Sequence, residues 1–597
     1  MQKTMHRALY SVAQIREIED RAAAAPDGAP GAPASFGLME KAAQALADWL
    51  AARLRPGECV LFLAGPGNNG GDALLAAALL ARQSFPGLAL GEHASLLRKD
   101  AIDVWFATDP QALPGNAALA HAALLREGIA PTQPRLDEPQ PTYAWIVDGL
   151  FGIGLKRAPQ GVHAEWIGWA NAQCETGASR LLAIDVPSGL DADTGAAMEP
   201  AIRATWTLTM IGGKPGLHTA QGRDFAGAVD VAPLDIARTL YPAPVALLSD
   251  ADEFSALLPR RLHASHKGSH GNLLILGGAP GMSGAAILVA RSALLCGAGR
   301  VIVGLLDEDA GAFDPQHPEL MLRRGKAAVL AALREEHFHA AVVGPGMGAG
   351  GDTGALLKAV LGLSCACVLD ADALNLVAAT PALRERLRER GGRGLSTVIT
   401  PHPLEAARLL SAPREAAETQ ADAGTGVHGL AQTPIPASAK AGRPDAADVQ
   451  ADRLEAVSRL ARDLDACAVL KGSGTIVHPS ARTAGMPHAA LPRINPTGNG
   501  ALATAGTGDV LAGCIGALLA QGMPEFAAAC AAVWIHGAAA DRLSSVEEDE
   551  SIGPPIGGPI GGPIGLCASD LPPAMRRALN ALAPVRMTHS PASSPFA

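Results

Sequence analysis

Aromatic residues are scarce in this chain, and CxxC cysteine pairs, excess positive charge and long apolar runs are missing. Phe, Trp and Tyr make up 4% of its 597 residues, so the interior must be built from aliphatic side chains. The 67 glycines and abundant alanine favour closely packed helices and tight loops. The nine cysteines, at 59, 174, 296, 365, 367, 467, 514, 530 and 567, form no CxxC pair. Cys365 and Cys367 lie two apart in an apolar run and would face opposite sides of a strand. The set reads as small buried thiols in a reducing compartment, not as a zinc site. The net charge of −10 and a pI near 5.9 argue against nonspecific nucleic-acid binding, so a phosphate-bearing substrate must be held by local donors. No apolar stretch has the length and freedom from charge, Gly and Pro that a membrane span needs. The start MQKTMHRALYSVAQIREIED is polar and then amphipathic, unlike a secretory leader. The expectation is a cytoplasmic protein with neither membrane nor nucleic-acid partners.

What is present is apolar volume and glycine motifs. With 48% hydrophobic residues and a mean hydropathy of +0.17, the chain can fill sizeable cores, and its length suggests two domains or more. After helices at 11–25 and 36–54, ECVLFLAG (58–65) predicts a buried strand, GPGNNGGD (65–72) a glycine loop, and 72–83 a helix. Further strands are expected at 145–154, ending in an acid and glycines, at 181–190, and at 204–211, closing on GGKPG. The stretch 236–262 reads as a connector. A second series follows, with strands at 272–278, 300–306 and 339–346 and a small-residue helix at 282–299. Strand-to-helix units are expected at 365–376 and 397–410, and two strands around a turn at 466–479. The loop TAGTGD (504–509) precedes helices at 510–522 and 525–543. Residues 411–446 read as a mobile insertion, 551–565 as a low-complexity loop, and the tail from about 583 as frayed. The halves share no motifs, which speaks against duplication.

Ligand sites in such folds lie beyond the carboxyl ends of the strands, and three motifs fall there in the first half. Asn68, Asn69, Gly70, Gly71 and Asp72 let backbone N–H groups approach a phosphate. They match neither GxGxxG nor a Walker loop, and a purely structural turn is the competing reading. Asp148 and Asp185 at neighbouring strand ends weigh against it. Asp185, in DVPSGLD, is placed to act as a base or to bind a hydroxyl. Asp148 and the Asn69 side chain could surround a hard cation with oxygen ligands, and a large monovalent ion suits so charge-poor a set. Asp191 and Asp193 read as turn acids. Lys214 is open between a salt-bridge residue and a support for the site.

LMEKAA (38–43), GPGNNGGD (65–72), VDGLFGIGL (147–155), DVPSGLD (185–191) and KPG (214–216) together make residues 11–240 resemble the YjeF N-terminal family, the NAD(P)H-hydrate epimerases. The resemblance implies interconversion of the R and S forms of hydrated NADH or NADPH (NADHX, NADPHX). It implies that Asn68 to Asp72 bind the hydrate with the loop Gly152, Ile153, Gly154, Leu155, Lys156, Arg157 and Ala158. Asn69, Asp148 and Ser188 would hold potassium, and Asp185 would act in proton transfer at C6. One departure is Ala73, where a glycine usually stands; its methyl could crowd the helix start.

In the second half, Thr504 to Asp509 precede a helix whose N-terminus suits a phosphate. Asp509 could deprotonate or position a hydroxyl beside that phosphate, or merely cap the helix. His402 and Glu405 in HPLE read as substrate contacts or as a helix cap. Asp370 and Asp372, beside Asn375, would order the site or bind ribose or water, and His266–Lys267–Gly268 would contact phosphate or mark a turn. HKGSHG (266–271), GPGMG (344–348), DADALN (370–375), TPHPLE (400–405), LKGSGT (470–475) and GTGDVLAG (506–513) make residues 255–580 resemble the ADP/ATP-dependent NAD(P)H-hydrate dehydratases of the ribokinase-like superfamily. The resemblance implies that Asp509 is the base. It implies that Ala285, Gly346 and His402 line the hydrate pocket, and that Lys471, Gly472, Ser473, Gly474, Thr475 and Gly508 bind the nucleotide. Ala505 departs mildly from the family's usual GGxGD.

The implied fold is α/β: a Rossmann-like three-layer sandwich followed by a ribokinase-like α/β domain. The expected boundaries are 1–240 for the epimerase domain, 241–254 for a linker, 255–582 for the dehydratase domain and 583–597 for a tail. Magnesium, potassium and ADP or ATP are the expected cofactors and co-substrate, with ADP favoured, and a homo-oligomer is expected. Two rivals differ in class. One is a small-molecule kinase of the hydroxymethylpyrimidine or hydroxyethylthiazole type fused to a ligand-binding domain. The other is a non-enzymatic first domain, as in RNA-associated scaffolds, which retention of Asn69, Asp148 and Asp185 opposes.

Overall fold

The computed structural model describes residues 7–24, 34–82, 101–411, 444–481, 491–544 and 564–583. The insertion expected at 411–446, the low-complexity stretch 551–565 and the tail from 583 therefore lie almost wholly outside the described residues.

Two sheets organise the chain. A two-residue strand, β1 (Ala8–Leu9), is followed by helices α1 (Val12–Ala23) and α2 (Ala34–Ala51). Then come β2 (Val60–Ala64), α3 (Asn68–Arg82), β3 (Ile102–Phe106), α4 (Gly115–Arg126), β4 (Trp145–Gly149), α5 (Val162–Glu175), β5 (Arg180–Ile184), β6 (Trp206–Met210) and β7 (Ala228–Ala232). β2 to β7 form a six-stranded sheet in the order β3-β2-β4-β5-β6-β7, parallel throughout. Alternate residues of one strand point to opposite faces, and both faces are covered. Phe62, Val104 and Val147 pack with Leu46 of α2 and Leu74 of α3 on one side. Leu61, Leu63, Trp105 and Ile146 pack with Trp166 and Ile167 of α5 on the other. This is the three-layer sandwich expected, and it explains why the strands read as continuous apolar runs.

The larger sheet has eleven strands. Its central run is β9 (Asn272–Gly277), β10 (Arg300–Leu305), β11 (Met321–Arg324), β12 (Ala340–Val343), β13 (Ala366–Leu369), β14 (Thr397–Ile399) and β15 (Cys467–Leu470), paired in parallel. β16 (Ile476–His478) and β17 (Arg493–Ile494) add antiparallel strands. One face packs on α6 (Ser283–Leu295), α9 (Thr507–Ala520), α10 (Glu525–Ser544) and α11 (Leu571–Leu582). The other packs on α7 (Pro403–Ser411), α8 (Arg453–Leu464) and their neighbours.

The segment 241–254, read as a linker, contains β8 (Ala246–Leu248). It pairs with β17 in parallel and with β1 antiparallel, so residues 8–9 also join the larger sheet. Such short strands leave no periodic signature. No helix among the described residues is long and apolar enough to cross a membrane.

Both glycine motifs differ locally from the sequence reading. NNGGD is the first turn of α3, not a loop before it: Gly71 N–H already bonds the Gly67 carbonyl at 3.0 Å. The glycines serve close approach. A β-carbon on Gly70 would stand 1.8 Å from the Gly65 carbonyl oxygen, and one on Gly71 2.6 Å from Met39 Cε. Likewise α9 starts at Thr507, with Gly506 as N-cap at φ +87°.

Candidate functional site

Two clusters of polar residues lie beyond the carboxyl ends of the two sheets. In the first, Asp185 follows β5 with φ +66°, a left-handed backbone that a β-carbon makes costly. Fixed partners hold it. Its N–H donates to the Leu208 carbonyl at 2.9 Å, and its Oδ1 accepts from Met210 N–H at 2.9 Å and from Thr209 Oγ1 at 3.2 Å. Lys214, fully buried, ion-pairs with the same oxygen. Its Nζ also donates to Thr209 Oγ1 and the Met210 carbonyl, both at 2.8 Å. Lys214 is thus at once the salt-bridge residue and the support of Asp185.

Asp72 on the first turn of α3 belongs to the same cluster. Burial, then the charges of Asp185 and Glu19, push its carboxyl well above the usual range. Glu19 of α1 is a residue the sequence reading missed; burial and Asp185 raise it as well. Three carboxyl groups and one ammonium group therefore share this pocket, and their repulsion favours a proton held among them.

The cation candidates converge next to it. Asp148, Ser188 and Asn69 are all buried. Asp148 accepts from Ser188 Oγ at 2.6 Å, Ser188 N–H at 2.8 Å and Leu150 N–H at 3.2 Å. Burial raises its carboxyl to about 6, against those hydrogen bonds. Asn69 Nδ2 donates to the Phe151 carbonyl at 3.1 Å. One carboxylate, one hydroxyl, one amide and a main-chain carbonyl make an all-oxygen set with a single charge, which fits a large monovalent cation better than a divalent one. Gly152 borders Asn69, whose Cγ would stand 3.3 Å from a β-carbon there. In the rest of that loop Gly154, Lys156 and Arg157 are exposed, and Ile153, Leu155 and Ala158 are half-buried. Ala73 is fully buried without distorting α3, because its methyl packs against Gly149, where a β-carbon would come within 2.6 Å. Asp191 is a turn acid that accepts from Asp193 N–H, Thr194 N–H and Thr194 Oγ1.

In the second cluster Lys471, just after β15, donates to Asp370 Oδ1 at 2.7 Å and lies 3.9 Å from Glu405. Burial opposes its charge, yet Asp370 and Glu405 hold its ammonium above the ordinary value. Its Nζ would stand 3.3 Å from a β-carbon on Gly508, so this cation sits at the N-terminus of α9. Asp509 is in the first turn of that helix. Burial, Asp370 and Glu405 raise its carboxyl to about 7, with Lys471 pulling the other way. His536 of α10, also missed from sequence, is brought to about 4 by burial. It is therefore neutral, and its Nε2–H holds the Thr507 carbonyl at 3.0 Å. Among the described residues, the N–H groups of Gly472, Ser473 and Gly474 have no protein acceptor, nor do those of Gly508 and Asp509 in the first turn of α9.

His402 caps α7. Its Nδ1 accepts from Leu404 N–H at 3.1 Å, and Glu405 returns a bond to His402 N–H at 2.9 Å. Burial and Lys471 lower its pKa, so Nε2 carries the proton, 3.4 Å from Glu405 Oε1. The side chain stays 45% exposed, free to meet a ligand as well. Ala285 and Gly346 adjoin, the Ala285 methyl lying 3.2 Å from where a β-carbon on Gly346 would stand. Asp372 accepts from Gly348 N–H at 2.8 Å, tying down the GPGMG loop. Among the described residues no three His, Cys, Asp or Glu side chains are grouped to hold a metal ion.

Fold and sites define a two-domain α/β enzyme, a Rossmann-like domain joined to a ribokinase-like one, each with a half-buried acid beside a lysine. The family model of the YjeF-related protein N-terminus matches residues 35–216, and that of NAD(P)H-hydrate dehydratase matches 273–549. The bifunctional NAD(P)H-hydrate repair enzyme Nnr of Escherichia coli K12 is 34% identical over 490 residues, 81% of this chain and 81% of that protein. The enzyme of the same name from Coxiella burnetii is 31% identical over 578 residues, 96% and 99% of the two chains. The ADP-dependent (S)-NAD(P)H-hydrate dehydratase of Neisseria meningitidis is 36% identical over 334 residues, 55% of this chain and 92% of that one. The chain belongs to the bifunctional NAD(P)H-hydrate repair enzymes.

Proposed function

We propose that the two sites act in succession on hydrated NADH and NADPH. The first interconverts the R and S hydrates, and the second returns the S hydrate to the dihydropyridine at the expense of ADP. The reading is carried by two carboxyl groups, Asp185 and Asp509, each half-buried beside a lysine at the carboxyl end of its sheet.

In the first site Asp185, fixed by Lys214, contacts the nicotinamide-derived ring and moves a proton at C6. Asn68 to Asp72 and the loop Gly152 to Ala158 bind the rest of the hydrate. Asn69, Asp148 and Ser188 would hold potassium, which would supply fixed positive charge beside the substrate.

In the second site Asp509 takes the proton of the C6 hydroxyl as that oxygen attacks the terminal phosphorus of ADP. The new O–P bond replaces the bond to AMP, which leaves. Phosphate is a far better leaving group than hydroxide. The ring nitrogen's electron pair then expels it from C6, and loss of a proton from C5 restores the double bond. Lys471, the N–H groups of Gly472 to Thr475 and the start of α9 at Gly508 face the phosphates, the type of preorganised donor set that stabilises charge during transfer. Ala285, Gly346 and His402 line the hydrate pocket. A magnesium ion bound with the nucleotide would supply positive charge to neutralise the phosphates. ADP as donor accords with the ADP-dependent Neisseria relative. We read the protein as a cytoplasmic homo-oligomer acting on small-molecule nucleotides, with domains at 1–240 and 255–582.

The test is product analysis with purified S hydrate, ADP and magnesium. Equal amounts of reduced cofactor, AMP and free phosphate are expected. A stable phosphorylated organic product without reduced cofactor would make the second domain a kinase.

A further inference from the structure

The segment after β6 leaves the first site and ends on the second. It begins at Lys214, bound to Asp185, and runs to Arg223. Along it Thr219 is 1% exposed. Its hydroxyl accepts from Arg453 Nε at 2.9 Å and faces the carbonyls of Gly474 and Ser473 at 3.2 and 3.3 Å. Ala220 N–H donates to the Ser473 carbonyl at 3.2 Å. Arg453 of α8, also 1% exposed, reaches the carbonyls of Leu470 and Lys471, both at 3.2 Å. The approach is so close that a β-carbon on Gly474 would stand 2.0 Å from the His218 carbonyl oxygen. Farther along, Arg223 donates to the carbonyls of Pro496 at 3.0 Å and Gly498 at 2.8 Å, in the loop that leads to α9.

The peptide bond is planar and trans, so a captured carbonyl turns the next N–H the opposite way. The carbonyls of Lys471, Ser473 and Gly474 are captured on the interface side. The N–H groups of Gly472, Gly474 and Thr475 must therefore point away from it, and those of Gly472 and Gly474 have no protein acceptor among the described residues. We propose that Thr219, together with Arg453, is a positioning residue of the dehydratase: the first domain sets the conformation of the nucleotide loop Lys471–Thr475 in the second. This rests on the reading of that loop as the nucleotide cradle.

The experiment measures KM for ADP and kcat with S hydrate, and R-to-S epimerisation separately, in the full chain and in Thr219→Val, Thr219→Ser, Arg453→Lys and Lys471→Ala. Loss of one such hydrogen bond changes affinity by about fivefold to tenfold. The expectation is a KM raised by that factor in Thr219→Val and Arg453→Lys, with kcat at saturating ADP and epimerisation unchanged, and near-normal KM in Thr219→Ser. An unchanged KM in Thr219→Val beside a raised one in Lys471→Ala would overturn the proposal while leaving the cradle intact. An unchanged KM in Lys471→Ala would overturn the cradle reading and the proposal with it. A fall in both activities of Thr219→Val would mark a general packing defect and also overturn the proposal, unless Arg453→Lys alone still showed the KM effect.

Discussion

Asp185 and Asp509 do different work because their surroundings differ. Asp185 is tied by a buried lysine, a hydroxyl and a backbone N–H. Asp509 is raised to about 7 by burial and two acidic neighbours. A base with that value gives a dehydration rate that climbs with pH and levels above about 7, to be read from kcat/KM for S hydrate against pH. The same shift has a stability consequence. An unfolded aspartate loses its proton near pH 4, whereas folded Asp509 keeps it to about 7. The native state therefore binds more protons between those values, and stability falls as pH rises across the window. Asp509→Asn is expected to melt above the wild type at pH 8 and equal to it below pH 4, while losing about 10²- to 10⁴-fold in dehydration. Asp185→Asn is expected to lose epimerisation by a similar factor and to keep dehydration of S hydrate.

At the scale of elements, the acids and glycines at strand ends were legible because a buried parallel strand is a short apolar run and its end is abrupt. The expected strand at 58–65 is β2 at Val60–Ala64, and the two expected at 466–479 are β15 and β16 around the LKGSGT turn. The helix starts were not legible. Glycine in NNGGD and AGTGD reads as a loop, yet Gly70 lies inside α3 to admit the Gly65 backbone. Nor were the pairings of acids with lysines: Lys471 meets Asp370 across 101 positions and Lys214 meets Asp185 across 29, distances over which a single sequence carries no contact signal. Two glycines separate packing from conformation. Gly70→Ala is expected to cost about 1–3 kcal/mol and lower the melting temperature, since its β-carbon would strike backbone. Gly154→Ala, with nothing within 4 Å, is expected to leave melting unchanged.

At the scale of the whole molecule, the larger sheet is completed by strands from the segments on either side of the smaller one. β1 and β8 cover the edge at β17, and Glu253 accepts from Arg493 while pairing with Arg7. A chain starting at residue 255 would expose that edge, so it is expected to melt lower and aggregate more readily than one starting at 244, by thermal melting with light scattering. The central claim is that one chain carries both activities. Its most direct test is recovery of reduced-nicotinamide absorbance from a mixture of R and S hydrates with ADP, magnesium and potassium. The wild type is predicted to recover the whole signal, Asp185→Asn only the S fraction beyond slow spontaneous epimerisation, and Asp509→Asn almost none. A wild type that stopped at the S fraction would contradict an active first domain, and one without nucleotide-dependent recovery would contradict the account of the second.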